Sequence, residues 1–388
     1  MPGYELVGKE EQIEVNKIFE NGGILCRRGF ENIRNGSYKV EEFESNFSER
    51  FGGFKSLAVT SGTAALRIAL AALNISKGDE VIAPSFTFVA TLEAIIESGA
   101  TPVCTEVNDT LNMDVNDLLL KITEKTKAVI VVHMLGIPSD LKKIVAICKE
   151  KSIFLIEDTA WGCGGSLDGI PLGTWGDIGT FSFDFAKTIT TGEGGMLLFK
   201  DENVFKKAAA WHDHGHDNNP MVQRWEDTRS SSGFNYRMSE LQAAVGIAQL
   251  RKLDYVIECQ RSNRDIILER LNNVNGIVYR NQPEGTFDTA DALIFFVESA
   301  NLALKCRSEL LNVGISTKIL PEAYTWHFAE TWNHMPELVA SHGNDLCNAF
   351  PLSRNLLKRS VSIPINVKME SQKIYKIEEA IKKSLNAQ

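Results

Sequence analysis

Between residues 56 and 158, short apolar runs alternate with stretches of helical periodicity. Leu57-Ala58-Val59 ends at Ser61-Gly62-Thr63 and is followed by a helical stretch over 64–73. Residues 81–83, 102–104, 128–132 and 153–156 read as further strands, with helices predicted over 91–97, 118–126 and 141–151. The runs at 128–132 and 153–156 are apolar throughout, as in strands covered on both faces. Strands and helices alternating at this spacing predict an α/β fold with a mainly parallel central sheet. In such sheets ligands bind beyond the carboxyl ends of the strands.

The flanking regions carry different patterns. The first fifty or so residues (about a quarter to a half of a usual domain) are polar and mixed, with an amphipathic helix predicted over 10–20 and a turn at Asn35-Gly36. Beyond 192–199 the chain becomes more helical, and 240–268 reads as one long helix or two joined ones. The part after 270 mixes short strands and helices and closes on a helix over 373–384. We therefore expect a large domain over 1–260 and a smaller C-terminal α+β domain over 261–388, with the N-terminal segment free to join the smaller one.

Composition narrows the function. The formal net charge is −9, which argues against a nucleic-acid surface but leaves room for a locally positive pocket. Seven cysteines without a C-x-x-C pair exclude a zinc ribbon and read as the reduced thiols of a cytoplasmic protein. The opening Met1-Pro2-Gly3-Tyr4-Glu5 has no basic stretch followed by an apolar run, so no signal peptide is expected. No apolar run is long enough for membrane insertion.

Three segments carry the chemistry. Ser61-Gly62-Thr63, between a strand and a helix, offers backbone N–H groups and hydroxyls to an anion such as a phosphate; a plain helix cap is the alternative. Asp158 ends an apolar strand, so its carboxylate needs a cationic or hydrogen-bonding partner. A protonated pyridine nitrogen would serve, and an ordinary cap is again the alternative. Lys187 follows Phe181-Ser182-Phe183-Asp184-Phe185-Ala186. Desolvation by such neighbours lowers an amine's pKa, and the neutral amine condenses with aldehydes. A solvated lysine lying along apolar surface is the bland reading. Gly192-Glu193-Gly194-Gly195 lets backbone come close to that lysine's ligand, and Phe88 offers an aromatic face.

Taken together with Gly78-Asp79-Glu80, Phe86-Thr87-Phe88, Gly176-Asp177-Ile178-Gly179 and Gly233-Phe234-Asn235-Tyr236-Arg237, these segments resemble the DegT/DnrJ/StrS family of sugar aminotransferases, over nearly the whole chain. The resemblance implies fold type I of the pyridoxal-phosphate (PLP) enzymes and pyridoxal 5'-phosphate as cofactor. It places Gly62, Thr63 and Ser182 on the cofactor phosphate, Phe88 on the ring, Asp158 on the ring nitrogen and Lys187 as covalent anchor and proton carrier. It also puts Asn235 on the neighbouring subunit's cofactor, in a homodimer with shared active sites. One departure stands out. Where the family carries Gln or His three residues after the aspartate, this chain has Trp161, whose N–H donates but cannot accept. Dehydratase relatives carry His in place of the lysine, so Lys187 points to amino transfer.

The substrate is read from the same resemblance. L-Glutamate is the expected donor and a keto sugar the acceptor. The opening residues 1–6, residues 27–36, His214-Gly215-His216-Asp217 and Trp326-His327-Phe328-Ala329 look like a subgroup that forms 8-amino-3,8-dideoxy-manno-octulosonate, the 8-amino form of the lipopolysaccharide sugar Kdo. Such an acceptor carries a carboxylate, for which Arg27, Arg28, Arg34 and Arg229 are candidates, each also readable as a surface arginine. His214 and His327 are candidates for the substrate pocket. His212, His214 and His216 alternate as metal ligands on a strand would, but the family has a substrate loop here, so no metal is expected. Two alternatives stay open: a nucleotide-linked keto-hexose as acceptor, and a non-catalytic PLP-binding regulatory protein.

Overall fold

A computed structural model describes residues 3–219 and 221–386; Met1 and Pro2 of the opening segment lie outside them. Helices α1 (Lys9–Glu20) and α2 (Lys39–Arg50) precede the main sheet. The chain then alternates through β1 (Lys55–Val59), α3 (Gly62–Ala72), β2 (Glu80–Pro84), α4 (Val89–Glu97), β3 (Thr101–Thr105), α5 (Val115–Lys121), β4 (Thr126–Val132), α6 (Leu141–Lys151) and β5 (Phe154–Asp158). A hairpin, β6 (Ser166–Leu167) and β7 (Ile170–Pro171), leads to β8 (Ile178–Ser182) and β9 (Gly195–Phe199).

Seven of these strands form one sheet in the order β1-β9-β8-β5-β4-β2-β3. The run β8-β5-β4-β2-β3 is parallel, and β9 runs against both its neighbours. The sheet is thus mainly parallel, as expected, with one reversed strand. Register aligns Val59 with Gly195 and Gly195 with Ser182. It also aligns Thr180 with Asp158 and Asp158 with Val132. The carboxyl ends of four strands and the amino end of β9 therefore finish at one rim.

Alternation along each strand fills both faces. Leu57, Val59, Ala128, Ile130 and Val132 pack with α3, α4 and the segment 328–357 on one side. Ala58, Met196 and Leu198 meet α2 and the helix α8 (Glu240–Arg251) on the other, and Val129, Val131 and Leu155 meet α6. Helix α7 (Glu202–Trp211) covers the first face. One element shifts from its expected place: the helix predicted over 118–126 occupies Val115–Lys121. Asp114 starts it early by accepting the N–H groups of Asn116 (2.8 Å) and Asp117 (3.1 Å). Thr123 then donates its N–H to the Thr126 hydroxyl in a turn, and Thr126 begins β4.

The stretch expected as one or two helices is two, α8 and α9 (Leu253–Leu271). Leu253 and Ile257 of α9 join the core of the large sheet, while Ile267 and Leu271 join a second core. That second core lies on a small antiparallel sheet. It combines β10 (Val278–Tyr279), β12 (Ala292–Phe296) and β13 (Ser360–Pro364), whereas the short β11 (Thr286–Phe287) pairs with the β6–β7 hairpin. Helices α10 (Ala300–Asn312) and α13 (Ser371–Asn386) cover the small sheet. Between them α11 (Pro336–Ser341) and α12 (Pro351–Lys358) return to the large sheet, where Leu338 and Leu357 enter its core.

A fully buried network sits behind the rim. Glu157 accepts N–H groups from Gly173 (2.9 Å), Trp175 (2.7 Å) and Gly176 (2.7 Å). It also takes the Nε2 proton of His133 (2.9 Å), whose Nδ1 accepts from Ser139 N–H. This network ties the loop before β8 to the end of β5, next to Asp158. Replacing Glu157 by Ala leaves three backbone donors and His133 without their acceptor at once. We expect Glu157→Ala to cost about 3 kcal/mol or more and to lower the thermal midpoint. A melting curve unchanged from the parent would contradict the role given to this carboxylate.

Candidate active site

The rim opens on a cavity of about 750 Å³. At one end Ser61 caps α3 by accepting the Ala64 N–H (3.1 Å). A helix leaves its first N–H groups without internal partners, and Gly62 and Thr63, which carry the first two of α3, line the cavity. A Cβ on Gly62 would lie 2.8 Å from Cβ of Ser182, so only glycine lets α3 approach β8 this closely. Two N–H groups and the hydroxyls of Thr63 and Ser182 thus converge at a helix N-terminus, a cradle for a phosphate dianion.

Asp158 forms the floor. Its Oδ1 accepts the Ala160 N–H (3.2 Å), and its Oδ2 accepts the Thr91 hydroxyl (3.1 Å), which is itself 2.7 Å from the Thr87 hydroxyl. A carboxylate has room for further donors beyond these two. Burial pushes its pKa up, and nearby Lys187 opposes the rise. A cationic N–H brought to its open lone pairs would stabilise the charged form further.

Lys187 lies beside it. Burial lowers its pKa to about 8, against the pull of Asp158, Asp291 and Asp184; Lys318 lowers it further. Its Nζ stands 3.4 Å from the centroid of the Trp161 ring. Lys318 Nζ is 4.7 Å from that same centroid and 2.5 Å from Oδ1 of buried Asp291. Trp161 therefore presents its π face to two ammonium groups, in the place where the resemblance expects Gln or His. The turn after Lys187 needs Gly192, whose φ of +81° is left-handed.

His327 and Phe88 form the opposite wall, with ring centroids 5.5 Å apart. His327 is buried and its Nδ1 has no hydrogen-bond partner among the described residues. Burial, with Lys187 nearby, pulls its pKa down to about 4. It therefore meets a ligand as a neutral ring, able to donate and accept. Phe88 keeps 45% of its surface exposed, leaving a face for an aromatic ring.

The cavity brings together Gly62, Thr63, Phe88, Asp158, Trp161, Ser182, Lys187 and His327. It does not take in the other sequence candidates. Arg34 is fully buried, with its donors held by the carbonyls of Gly29, Ser37 and Cys26 and by Glu240. Arg27 holds both oxygens of Glu44 and the Ala58 carbonyl. These two arginines fix the segment 26–37 to the body of the protein; they do not face this cavity. Arg28, His214, Arg229 and Asn235 are exposed and outside it. The three clustered histidines part company: His212 Nδ1 lies against the Ala209 carbonyl (2.5 Å), and His216 pairs with Asp227 (3.2 Å).

Sequence reading missed Thr91, Lys318, Asp291 and Tyr4, all within or behind this cavity. Thr91 had no signal from spacing, because Thr87, whose hydroxyl it meets, lies before α4. Tyr4 lies in the opening stretch 1–6 that carries the subgroup resemblance, though nothing there marks it as facing the cavity, and Lys318 had no signal.

Known proteins resemble this chain along nearly its whole length. The profile of the DegT/DnrJ/EryC1/StrS aminotransferase family matches residues 26–382. The chain is 33% identical to a GDP-perosamine synthase of Escherichia coli O157:H7, covering 98% of this chain and 97% of that protein. Its fold matches an aminotransferase from Psychrobacter cryohalolentis with a TM-score of 0.83, 27% identity and 96% of each chain covered. It also matches, at 24% identity, a Streptococcus pneumoniae chain solved in PMP and PLP forms, with TM-scores of 0.85 and 0.83 and coverage of 98% and 97%. The residues present fit pyridoxal phosphate. The α3 cradle suits its phosphate, Asp158 has a lone pair for its ring nitrogen, and Lys187 has the lowered pKa its aldehyde requires.

Only neutral Lys187 condenses with an aldehyde. Cofactor uptake by the cofactor-free protein, followed by absorbance, should therefore speed up as pH rises through about 8 and level off above it. Lys318→Met removes a neighbouring cation, so the midpoint should move to higher pH. A midpoint that stays or falls would show that Lys318 does not act on Lys187.

Proposed function

The chain belongs to the DegT/DnrJ/EryC1/StrS aminotransferase family, and on that premise we propose that it moves an amino group from L-glutamate to the 8-oxo form of Kdo, giving 8-amino-3,8-dideoxy-manno-octulosonate for lipopolysaccharide. That the chain is a PLP-dependent sugar aminotransferase follows from the family and from the relatives it matches along its length. The finer reading needs an acceptor with its own carboxylate. Lys318 supports it: a nearly buried ammonium on the cavity wall, ion-paired with a single carboxylate, Asp291. The specific observation favouring the other acceptor, a nucleotide-linked keto-hexose, is the 33% identity to a GDP-perosamine synthase.

The chain's own groups divide the work. Bound PLP supplies an electron sink for the carbanion formed at the donor α-carbon. Lys187 Nζ takes the proton from that carbon and later delivers a proton to the sugar carbon that receives nitrogen. Its lowered pKa keeps a useful share of neutral amine near physiological pH. Asp158 accepts the ring N–H and holds that proton in place, while Thr91 fixes the carboxylate. Phe88 would cover one side of the cofactor ring, and the neutral His327 ring beside it lines the path a substrate hydroxyl would take. Trp161 sets its ring against both Lys187 and Lys318.

A homodimer with shared sites is part of the proposal. Asn235, His214, Arg28 and Arg229 lie exposed outside their own chain's cavity, and nearby in sequence Phe30, Ile33, Trp225 and Phe234 are also exposed. A second copy would cover such a surface and bring those polar groups to its own cavity. We place the enzyme in the cytoplasm: its cysteines are unpaired, and no helix among the described residues is long and apolar enough to cross a membrane.

Lys187→Ala should abolish turnover while leaving the cofactor bound without a covalent link, seen as loss of the cofactor from denatured protein after borohydride reduction. Full activity in that variant would sink the assignment. The acceptor is tested by adding 8-amino-3,8-dideoxy-manno-octulosonate, GDP-perosamine or L-glutamate separately to the PLP-loaded enzyme and following the visible spectrum. Conversion by the octulosonate and by glutamate supports the reading given first. Conversion by glutamate and GDP-perosamine alone overturns it in favour of the nucleotide-linked sugar.

A further inference from the structure

The N-terminal turn Gly3–Leu6 lies before the residues that match the family profile, which begin at residue 26. It is nevertheless built into the site. Gly3 donates its N–H to the carbonyl of Lys187 itself (3.1 Å). A Cβ on Gly3 would stand 2.9 Å from that oxygen and 3.0 Å from Thr190 N. No larger residue could bring the backbone this close to the lysine without a shift. The turn is then fastened from two further directions. Lys252 Nζ donates to the Leu6 carbonyl (2.7 Å), and Lys368 holds Glu5 through Nζ to its carbonyl (2.8 Å) and N–H to its Oε2 (2.8 Å).

This anchoring fixes Tyr4. Its ring stacks on Phe185 with centroids 5.0 Å apart and planes at 22°, and it lines the cavity that holds Lys187. Tyr4 is still 41% exposed and Phe185 55%. Three segments thus hold in place an aromatic pair that the protein does not bury, at the cavity's edge.

We propose that Tyr4 is a specificity-determining residue: the wall against which the acceptor sugar packs. The inference rests on the sugar-aminotransferase reading above and adds to it a contact from outside the shared family region. A sugar ring offers a face of C–H groups edged by hydroxyls. A tyrosine offers an apolar face with a hydroxyl tip, so the two match in both parts. The amino acid donor is much smaller and reacts at its α-carbon beside Lys187, so it does not depend on a wall at the rim.

The test compares the two half-reactions in single turnovers of the PLP-loaded enzyme. One uses the amino sugar, 8-amino-3,8-dideoxy-manno-octulosonate or GDP-perosamine, and the other uses L-glutamate. Tyr4→Ala should raise the half-saturating concentration of the amino sugar by roughly three- to tenfold, the size of one aromatic contact. The limiting rate and the glutamate half-saturation should stay within about twofold, inside the spread of single-contact effects. Tyr4→Phe, which keeps the face and loses only the hydroxyl, should raise the amino-sugar value by less than Tyr4→Ala does. If Tyr4→Ala leaves the amino-sugar value unchanged, or shifts sugar and glutamate equally, Tyr4 is only structural and the inference falls alone. If glutamate converts the unaltered enzyme but neither amino sugar does, the acceptor reading of the preceding section falls and this inference falls with it.

Discussion

A carboxylate buried at the end of a central strand is the constraint around which the rest is arranged. Asp158 carries its charge where the sheet offers little water, so every neighbour has to stabilise or tolerate it. Thr91 and the Ala160 N–H give it two hydrogen bonds, and Lys187 gives it a nearby cation. None of these fully replaces solvent, which is why its pKa still rises. A ring N–H with positive character would complete the set. The residue that looks least comfortable in the protein alone is therefore the one suited to receive the cofactor's nitrogen.

The same reasoning explains the lysines. Lys187 is desolvated enough to lose its proton near neutrality, and two acidic residues from the large sheet, Asp158 and Asp184, restrain that loss. The chain on either side of β12 adds opposing influences, Asp291 just before it and Lys318 after it, held as an ion pair at 2.5 Å. Any movement of that segment changes the charge around Lys187. Trp161 sets its ring against both ammonium groups without neutralising either, a role that the hydrogen-bonding Gln or His of the wider family could not fill in the same way.

Much of this was legible along the chain. Asp158 and Lys187 stand out because each follows a run of apolar or aromatic residues, where a charge needs a reason. The Ser61–Thr63 turn stands out because strand, turn and helix follow one another within a few positions. The order of the central strands and the reversed strand at Gly195–Phe199 were not legible, because pairing across the sheet is decided by contacts far apart in sequence. Lys318 was invisible for the same cause: nothing near it marks it as facing a cavity built from residues 61 to 187. Arg34 misled in the opposite direction. Its neighbours are polar and its stretch reads as a surface loop, yet four backbone and side-chain acceptors draw it wholly inside. The helix at Val115–Lys121 began and ended early because side chains at its ends, and not its apolar spacing, set the limits.

Helix α9 has a consequence for how this architecture can change. One end of it completes the core under the large sheet, and the other completes the core under the small one. The segment 328–357, although late in the chain, returns to the large sheet as well. The two halves are thus laced together at several levels. A recombination event that exchanged everything after residue 260 would cut a continuous helix and strip the first core of part of its cover. New substrate ranges in such a scaffold should arise by substitution within loops, such as the one carrying Lys318, more readily than by shuffling of whole modules.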